Sequence, residues 1–446
     1  MASKKDRNES QNLSLVNSSV DDLLLASLER GGDNLQTGRY LVTYKPGAAE
    51  EGKQSLADQG LRIADARDFT EQAITLESVG DADTIHFNEI GVALVSGPAA
   101  QERSMDIQTE AATDSAIESI DPEYFVFAND VMTPPYGMAT EETPNQYLRG
   151  FLRAAEIIAK DLQNPNGHSL LELQEEVQVL GATWGLNVCK VPPCPRGGSG
   201  IKVAVLDTGM DLLHPDFIGR SITSQTFVGQ PVQDLNGHGT HCIGTACGPK
   251  APVGNIPRYG IGFKTSIYAG KVLTNTGTGT QAGVLAGMNW AIANRCAVIS
   301  MSLGAPIGIQ PSYTAAGQAA LNNGCLIIAA AGNSSGGPTG APGNSPTIMA
   351  VASLDQNLMP SSFSSAGKID IAGPGRDIFS SWPRPQKYNT ISGTSMATPH
   401  VAGCAALWAE TSPNLRGALL WRKLVSTARH LSLPTSKVGA GLVQAL

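Results

Sequence analysis

Residues 201–216 read IKVAVLDTGMDLLHPD, and they give the clearest indication of how this chain folds. The run IKVAVL is apolar and rich in β-branched residues, which is typical of a strand buried in a parallel sheet. Asp207 follows this run and therefore lies at the carboxyl end of the strand, where open α/β sheets carry their sites. We predict an α/β fold in which helices cover both faces of a parallel sheet.

Two later segments supply side chains that complete a catalytic set with this carboxylate. NGHGTHCIGT (236–245) places His238 between two glycines where a helix is expected to begin, and SGTSMATPHVAG (392–403) places Ser395 before a helical run. A serine hydroxyl is a weak nucleophile and needs a base, and that base needs a third group to orient it. Asp207, His238 and Ser395 supply these three roles in the chain order Asp, His, Ser.

With these motifs, residues from about 184 to 446 resemble the subtilisin-like serine peptidases, and HGTHC is most similar to the proteinase K and thermitase branches. The resemblance implies hydrolysis of polypeptide substrates through an acyl-enzyme, with no cofactor in the chemistry. It also implies an oxyanion hole formed by Asn333, from CLIIAAAGNSS (325–335), and by the main-chain N–H of Ser395.

The same resemblance implies a groove with two main-chain edges that pair with an extended substrate. Its first edge is Gly277, Thr278 and Gly279, and its second is Ser302, Leu303 and Gly304. The primary specificity pocket would be lined by Gly304, Ala330, Ala331, Gly332 and Gly340. These residues are small and uncharged, so we predict acceptance of bulky apolar or aromatic residues before the cut.

The N-terminal part of the chain is predicted to hold a separate, smaller domain. Residues 1–39 are polar and are predicted to be disordered, whereas residues 40–128 follow the strand and helix order of a ferredoxin-like βαββαβ unit. The first segment of this unit, YLVTYKPGA (40–48), and its last segment, AIESIDPEYFVFA (116–128), resemble the inhibitor-like pro-region of subtilases. This implies an intramolecular inhibitor whose tail runs through the cleft; an unrelated α+β appendage is the alternative.

Residues 129–183 are longer than the short connection that usually joins the two domains in relatives. Two stretches within them have apolar residues at helical spacing. We predict an inserted helical hairpin that docks on either domain, with a regulatory lid as the alternative. The maturation cut is expected in this segment, before TWGLNV (183–188), and the catalytic domain is expected to span residues 184–446.

Composition restricts the function further. The 446 residues carry a net charge of −8, which argues against nucleic acid as a partner. No apolar run reaches the length of a membrane span, and the first thirty residues lack the apolar core of a secretory signal. We expect a monomer that is cytoplasmic, or exported by a route without a leader.

Metal and thiol sites remain as open alternatives. Asp216 matches a position that helps to bind a structural calcium ion in relatives, but it can equally cap a turn. Cys189 and Cys194 can form a local bridge or stay free, since seven cysteines leave at least one thiol unpaired. Cys242 is interpreted as a small buried packing residue whose reaction with mercurials would displace the histidine one turn away.

The other histidines are given structural interpretations. His241 lacks the glutamate of a zinc-binding HExxH motif, and His214 and His400 are expected to make local hydrogen bonds. Two functional alternatives remain: a peptidase dedicated to one precursor, and a catalytically silent module that binds peptide.

Overall fold

The computed structural model describes residues 19–29, 35–69, 82–97, 99, 116–128 and 181–446. Within these ranges no helix is long and apolar enough to cross a bilayer. The elements before residue 129 are α1 (Val20–Glu29), β1 (Gln36–Tyr44), α2 (Ala49–Asp58), β2 (Ile63–Asp65), β3 (Thr84–Phe87), β4 (Val92–Val95) and β5 (Ile117–Ala128).

The part of the chain from residue 181 onward contains both strands and helices. They are α3 (Trp184–Val188), β6 (Lys202–Asp207), β7 (Ile222–Thr226), α4 (His238–Cys247), β8 (Ser266–Lys271), β9 (Thr278–Thr280), α5 (Gln281–Ala293), β10 (Val298–Met301), β11 (Leu303–Gly304), α6 (Pro311–Asn322), β12 (Leu326–Ala330), β13 (Met349–Leu354), β14 (Ile371–Pro374), β15 (Ile378–Ser381), β16 (Tyr388–Ile391), α7 (Thr394–Thr411), α8 (Gly417–Thr427) and α9 (Thr435–Val438).

The larger domain is built on a seven-stranded parallel sheet with the order β14-β13-β12-β10-β6-β8-β7. Along β6, Ala204 and Leu206 enter one apolar cluster, while Val203 and Val205 enter the other. Successive side chains of a strand point to opposite faces. Helices α5 and α6 contribute to the first cluster and α4, α7 and α8 to the second. The predicted parallel sheet covered on both faces is therefore confirmed.

The N-terminal domain forms a second sheet. Strand β1 pairs antiparallel with β5 on one side and with β4 on the other, and β4 pairs antiparallel with β3. This is the strand order of the predicted ferredoxin-like unit, extended by the short strand β2 beside β3. The second helix of the predicted βαββαβ unit would lie between β4 and β5, where only residues 96, 97, 99 and 116 are described.

One prediction about the flanking segments changes, and the other stays a prediction. Residues 1–39 are not all disordered, because α1 forms over Val20–Glu29 and β1 already begins at Gln36. The polar composition concealed a short apolar helix face, whose Leu23 and Leu24 are buried in the same cluster as Leu41 of β1. The predicted hairpin and lid over residues 129–183 lie outside the described residues, except for residues 181–183.

Strand β5 connects the two domains. Its first part pairs with β1, and its last residues pair antiparallel with β9 and with β11 of the larger domain. The N-terminal sheet is therefore continued by two short edges that belong to the C-terminal part of the chain.

Candidate active site

Asp207 and His238 meet at the carboxyl edge of the parallel sheet. Asp207 is the last residue of β6, and His238 is the first residue of α4. His238 Nδ1 lies 2.7 Å from Asp207 Oδ1, and both side chains are buried. The preceding Gly237 has φ 107°, and a β-carbon there would meet the Trp382 ring at 2.3 Å. This close approach requires glycine.

Ser395 reaches the same region from the first turn of α7. Its Oγ donates to the carbonyl of Ser302 at 3.1 Å, and Ser302 Oγ donates in return to the carbonyl of Ser395 at 2.7 Å. Cys242 Sγ lies 3.7 Å from that same Ser395 carbonyl and 3.9 Å from His238 Nδ1. The structure thus brings the predicted nucleophile and the acid–base pair into one cluster.

The remaining ring nitrogen of the histidine is available for proton transfer. Among the described residues, the buried Nε2 of His238 has no hydrogen-bond partner. Catalytic hydrogen bonds are often long or poorly aligned without substrate and tighten when substrate binds. We therefore expect the Ser395 hydroxyl, which here bonds the Ser302 carbonyl, to bond Nε2 once substrate is in place.

Asn333 lies beside the first turn of α7. Its Oδ1 accepts from the main-chain N of Thr394 at 3.0 Å and from the Thr394 hydroxyl at 3.1 Å. With the oxygen held in this way, Nδ2 is the donor that the side chain presents. The sequence did not single out Thr394, although it directly precedes the nucleophile.

The protonation of the histidine is governed by burial and by its carboxylate partner. Burial disfavours the imidazolium, but Asp207 outweighs burial and raises the pKa of His238 well above its usual value. Burial raises the pKa of Cys242 to about 11, so its thiol is neutral near pH 7. Among the described residues, one group of histidine, cysteine and carboxylate side chains has its ligand atoms close enough together to hold a metal ion. This group consists of Asp207, His238 and Cys242. Since Nδ1 and Oδ1 already bond each other, we interpret the group as an acid–base pair.

The two predicted substrate edges flank a single strand. Phe127 of β5 is the register partner of Thr278 on one side and of Gly304 on the other, and Ala128 is that of Leu303. Ala128 N also donates to the carbonyl of Gly277 at 2.9 Å. Gly279 pairs with Val126 on the same edge as Thr278, and Ser302 directly precedes Leu303.

Comparison with known proteins agrees with this geometry. The model of the subtilase family matches residues 198–441, more than half of the chain. The chain belongs to the subtilase family. Subtilisin Savinase of Lederbergia lenta is 40% identical over 270 residues, covering 59% of this chain and 96% of that protein. The alkaline protease of Alkalihalobacillus alcalophilus is 39% identical over 287 residues, covering 62% and 73%.

A solved structure gives the same result. The crystal structure of a cold-adapted subtilisin-like serine proteinase is 33% identical and has a TM-score of 0.54, covering 60% of this chain and 99% of that one. As a subtilase, the protein is a serine endopeptidase that acts on polypeptides.

The predicted pocket residues of this subtilase pack main chain against main chain. Gly340 N donates to the carbonyl of Ala331 at 3.1 Å, and a β-carbon on Gly340 would lie 2.4 Å from the carbonyl oxygen of Ala305. Ala330 is the last residue of β12 and is buried, as is Ala331. A β-carbon on Gly332 would meet Ser365 Oγ at 3.0 Å. The sequence did not indicate Ser365.

Asp216 does not fit a calcium ion. Its Oδ1 accepts from Val253 N at 2.7 Å, while Oδ2 accepts from the hydroxyls of Tyr259 at 2.6 Å and Tyr388 at 3.0 Å. Both oxygens therefore face protein donors, and these donors would have to move before a cation could bind. Of the two alternatives for Asp216, these contacts favour the structural one, in which the carboxylate ties the loop carrying Val253 to the turn after His214.

The cysteine and histidine alternatives are also decided by the structure. All seven cysteines are buried and free, so Cys189 and Cys194 form no bridge. Each predicted structural histidine donates to a carbonyl at 2.8 Å, His214 to that of Lys387 and His400 to that of Met396. His241 donates in the same way to Ile378, and burial lowers its pKa to about 3.

Proposed function

We propose that Asp207, His238 and Ser395 are the catalytic triad of this subtilase. The observation that carries the proposal is the buried 2.7 Å bond between His238 Nδ1 and Asp207 Oδ1 beside the Ser395 hydroxyl. Asp207 holds the imidazole in the tautomer that leaves Nε2 able to accept a proton.

The reaction then follows from these positions. His238 Nε2 takes the proton of Ser395 Oγ while Oγ bonds to the substrate carbonyl carbon. Asn333 Nδ2 and the N–H of Ser395 donate to the resulting oxyanion. His238 returns the proton to the departing amine as the peptide C–N bond breaks. Water then attacks the acyl carbon while His238 takes a proton from it, and His238 returns this proton to Ser395 Oγ as the ester bond breaks. The family chemistry needs no cofactor.

The protein is further proposed to be made as an autoinhibited precursor, with β5 as its internal product-like strand. The pairing of Phe127 with both Thr278 and Gly304 supports this, because a substrate would use the same main-chain edges. The edge residue next to Leu303 is Ser302, whose carbonyl accepts from the Ser395 hydroxyl, so the described end of β5 lies next to the nucleophile.

We propose that the maturation cut falls within residues 129–183, before TWGLNV (183–188). In other substrates, the small and uncharged pocket residues favour bulky apolar or aromatic residues before the cut. Strict cleavage after Lys or Arg in a peptide library would contradict this preference.

One experiment tests competence and precursor character together. The purified full-length protein is incubated, its new N-termini are sequenced, and it is treated with a fluorophosphonate before and after incubation. We expect labelling to increase as a new N-terminus generated by a cut within residues 129–183 appears, and to be absent in Ser395→Ala. Unlabelled protein after complete processing would favour the silent peptide-binding alternative. Cleavage of one defined peptide without digestion of casein would favour a dedicated processing peptidase.

A further inference from the structure

A buried ammonium group lies behind the Asp207–His238 pair. Lys271 ends β8, and its Cα is the register partner of Asp207 in the neighbouring strand. The side chain of Lys271 is fully buried. Its Nζ donates to the main-chain carbonyl of Thr208 and, at 2.8 Å, to Oδ1 of Asn275.

Thr208 connects this ammonium to the catalytic groups. Its main-chain N donates to Asp207 Oδ1 at 2.8 Å, the same oxygen that bonds His238. Its hydroxyl accepts from Gly239 N at 2.8 Å and donates to Asp234 Oδ1 at 3.0 Å. Lys271 therefore holds Thr208 in place. The main-chain N–H of Thr208 positions the catalytic carboxylate, and its hydroxyl positions the turn after the histidine.

Asp234 encloses the histidine from the other side. Its Oδ1 accepts from Gly237 N at 2.8 Å, and its Oδ2 accepts from the main-chain N of Thr240 at 2.9 Å and from the Thr240 hydroxyl at 2.8 Å. The residues immediately before and shortly after His238 are thus bonded to one buried carboxylate.

The hydrogen-bond network around His238 includes the carboxylates of Asp207 and Asp234 and the ammonium of Lys271, while the nearby carboxylate of Asp211 is paired with Arg384. Cys242 is neutral because burial raises its pKa, and His241 is neutral because burial lowers its pKa. Burial lowers the pKa of Lys271 to about 8, against the pull of Asp234 and Asp207. The lysine is therefore mostly protonated near neutral pH. Its positive charge opposes the stabilisation of the imidazolium by the two carboxylates.

We propose that Lys271 is a positioning residue of the peptidase reaction, which fixes the Asp207–Thr208 segment and, through its positive charge, opposes protonation of His238. The inference rests on the proposed triad. It predicts two effects on removal of the ammonium: His238 becomes easier to protonate, and the carboxylate is held less firmly.

The test measures kcat and KM of the processed enzyme on a chromogenic peptide from about pH 5 to about pH 10. In Lys271→Met, the pH below which kcat/KM falls should rise by about half a unit or more. At the optimum, kcat should fall about tenfold or more while KM stays within about twofold, because the lysine acts through Asp207 rather than on the substrate.

Lys368→Met is the matched control. Lys368 also donates to a main-chain carbonyl, that of Ile348, and bonds Asp370 at 2.6 Å, with its ammonium over the Trp421 ring. Its removal should lower stability without moving the pH profile. A Lys271→Met enzyme whose profile and kcat match those of Lys368→Met would overturn the proposal.

Asn275→Asp covers the case in which Lys271→Met does not fold. This variant keeps the lysine and its bond but places a carboxylate against the ammonium, so the acid limb should again move to higher pH. An unmoved limb in a folded Asn275→Asp enzyme would also overturn the proposal. Failure of the triad itself is recognised separately, because the wild-type protein would then not be labelled by fluorophosphonate.

Discussion

The buried ion pair between Arg39 and Glu123 holds the N-terminal domain to the peptidase domain. Glu123 of β5 accepts from Arg39 Nε at 2.6 Å and Nη2 at 2.8 Å, and also from the main-chain N of Ala282 at 3.0 Å. Arg39 in turn donates to Thr280 Oγ1 at 3.3 Å. Neither charged side chain is exposed to solvent.

Removing the carboxylate should weaken docking strongly. Glu123→Ala leaves the Arg39 guanidinium buried without its counter-charge, a change that costs about 3–5 kcal/mol in buried pairs. Most of this cost falls on the docked state, because Thr280 and Ala282 that help to bury the pair belong to the peptidase domain. A loss of about 3–4 kcal/mol in the free energy of docking corresponds to docking that is about a hundredfold to a thousandfold weaker.

The assay uses the full-length Ser395→Ala protein, which cannot cut itself, and a fluorescent peptide that competes with β5 for the cleft. Glu123→Ala should increase the apparent affinity for this peptide about a hundredfold or more. Glu118→Ala is the control, because Glu118 is exposed on the same strand. Replacing both partners by methionine should restore most of the docking, since no charge is then left alone. Equal peptide binding by Glu123→Ala and Glu118→Ala would refute the reasoning.

Three further predictions follow from the site. Because Asp207 raises the pKa of His238 and the protonated ring cannot accept a proton, kcat/KM should decrease as the pH is lowered, with a midpoint above pH 6.5. A midpoint below that value would contradict the assignment. Asn333→Ala should lower kcat about a hundredfold to a thousandfold with little change in KM, the size known for such a donor in a subtilisin rather than a value worked out from this structure. Arg384→Gln should lower the free energy of unfolding in urea titrations, because it removes the bidentate partner, at 2.8 and 2.9 Å, of the buried Asp211; an unchanged free energy of unfolding would count against this ion pair.

The fold and the centre of the site could be predicted because their signals are local. An apolar β-branched run indicated β6, and the end of that strand set the position of Asp207. Glycines around His238 indicated the start of α4, and the small residues before Ser395 indicated the start of α7. Each motif is contiguous, so its residues reach the site together once the element forms.

What could not be predicted depends on contacts between distant residues. Asp216 bonds Tyr259, which is 43 residues away, and Tyr388, which is 172 residues away, so its neighbours in sequence gave no warning that its oxygens are engaged. Lys271 is one lysine in an ordinary apolar strand until its register partner is known to be Asp207. The Arg39–Glu123 pair is likewise visible only when β1 and β5 are paired.

The sharing of one pair of edges between β5 and substrate restricts how the enzyme can be released. Both partners make main-chain bonds of the same kind, so the edges themselves cannot strongly prefer a substrate over the internal strand. While the strand is covalently attached, its effective concentration at the cleft favours it over a free peptide. After the cut, contacts outside the cleft decide how long the strand stays bound. The main ones are the bonds of Glu123 to Arg39 and to the first turn of α5. The lag before activity should therefore depend on this remote ion pair more than on the residues that line the pocket.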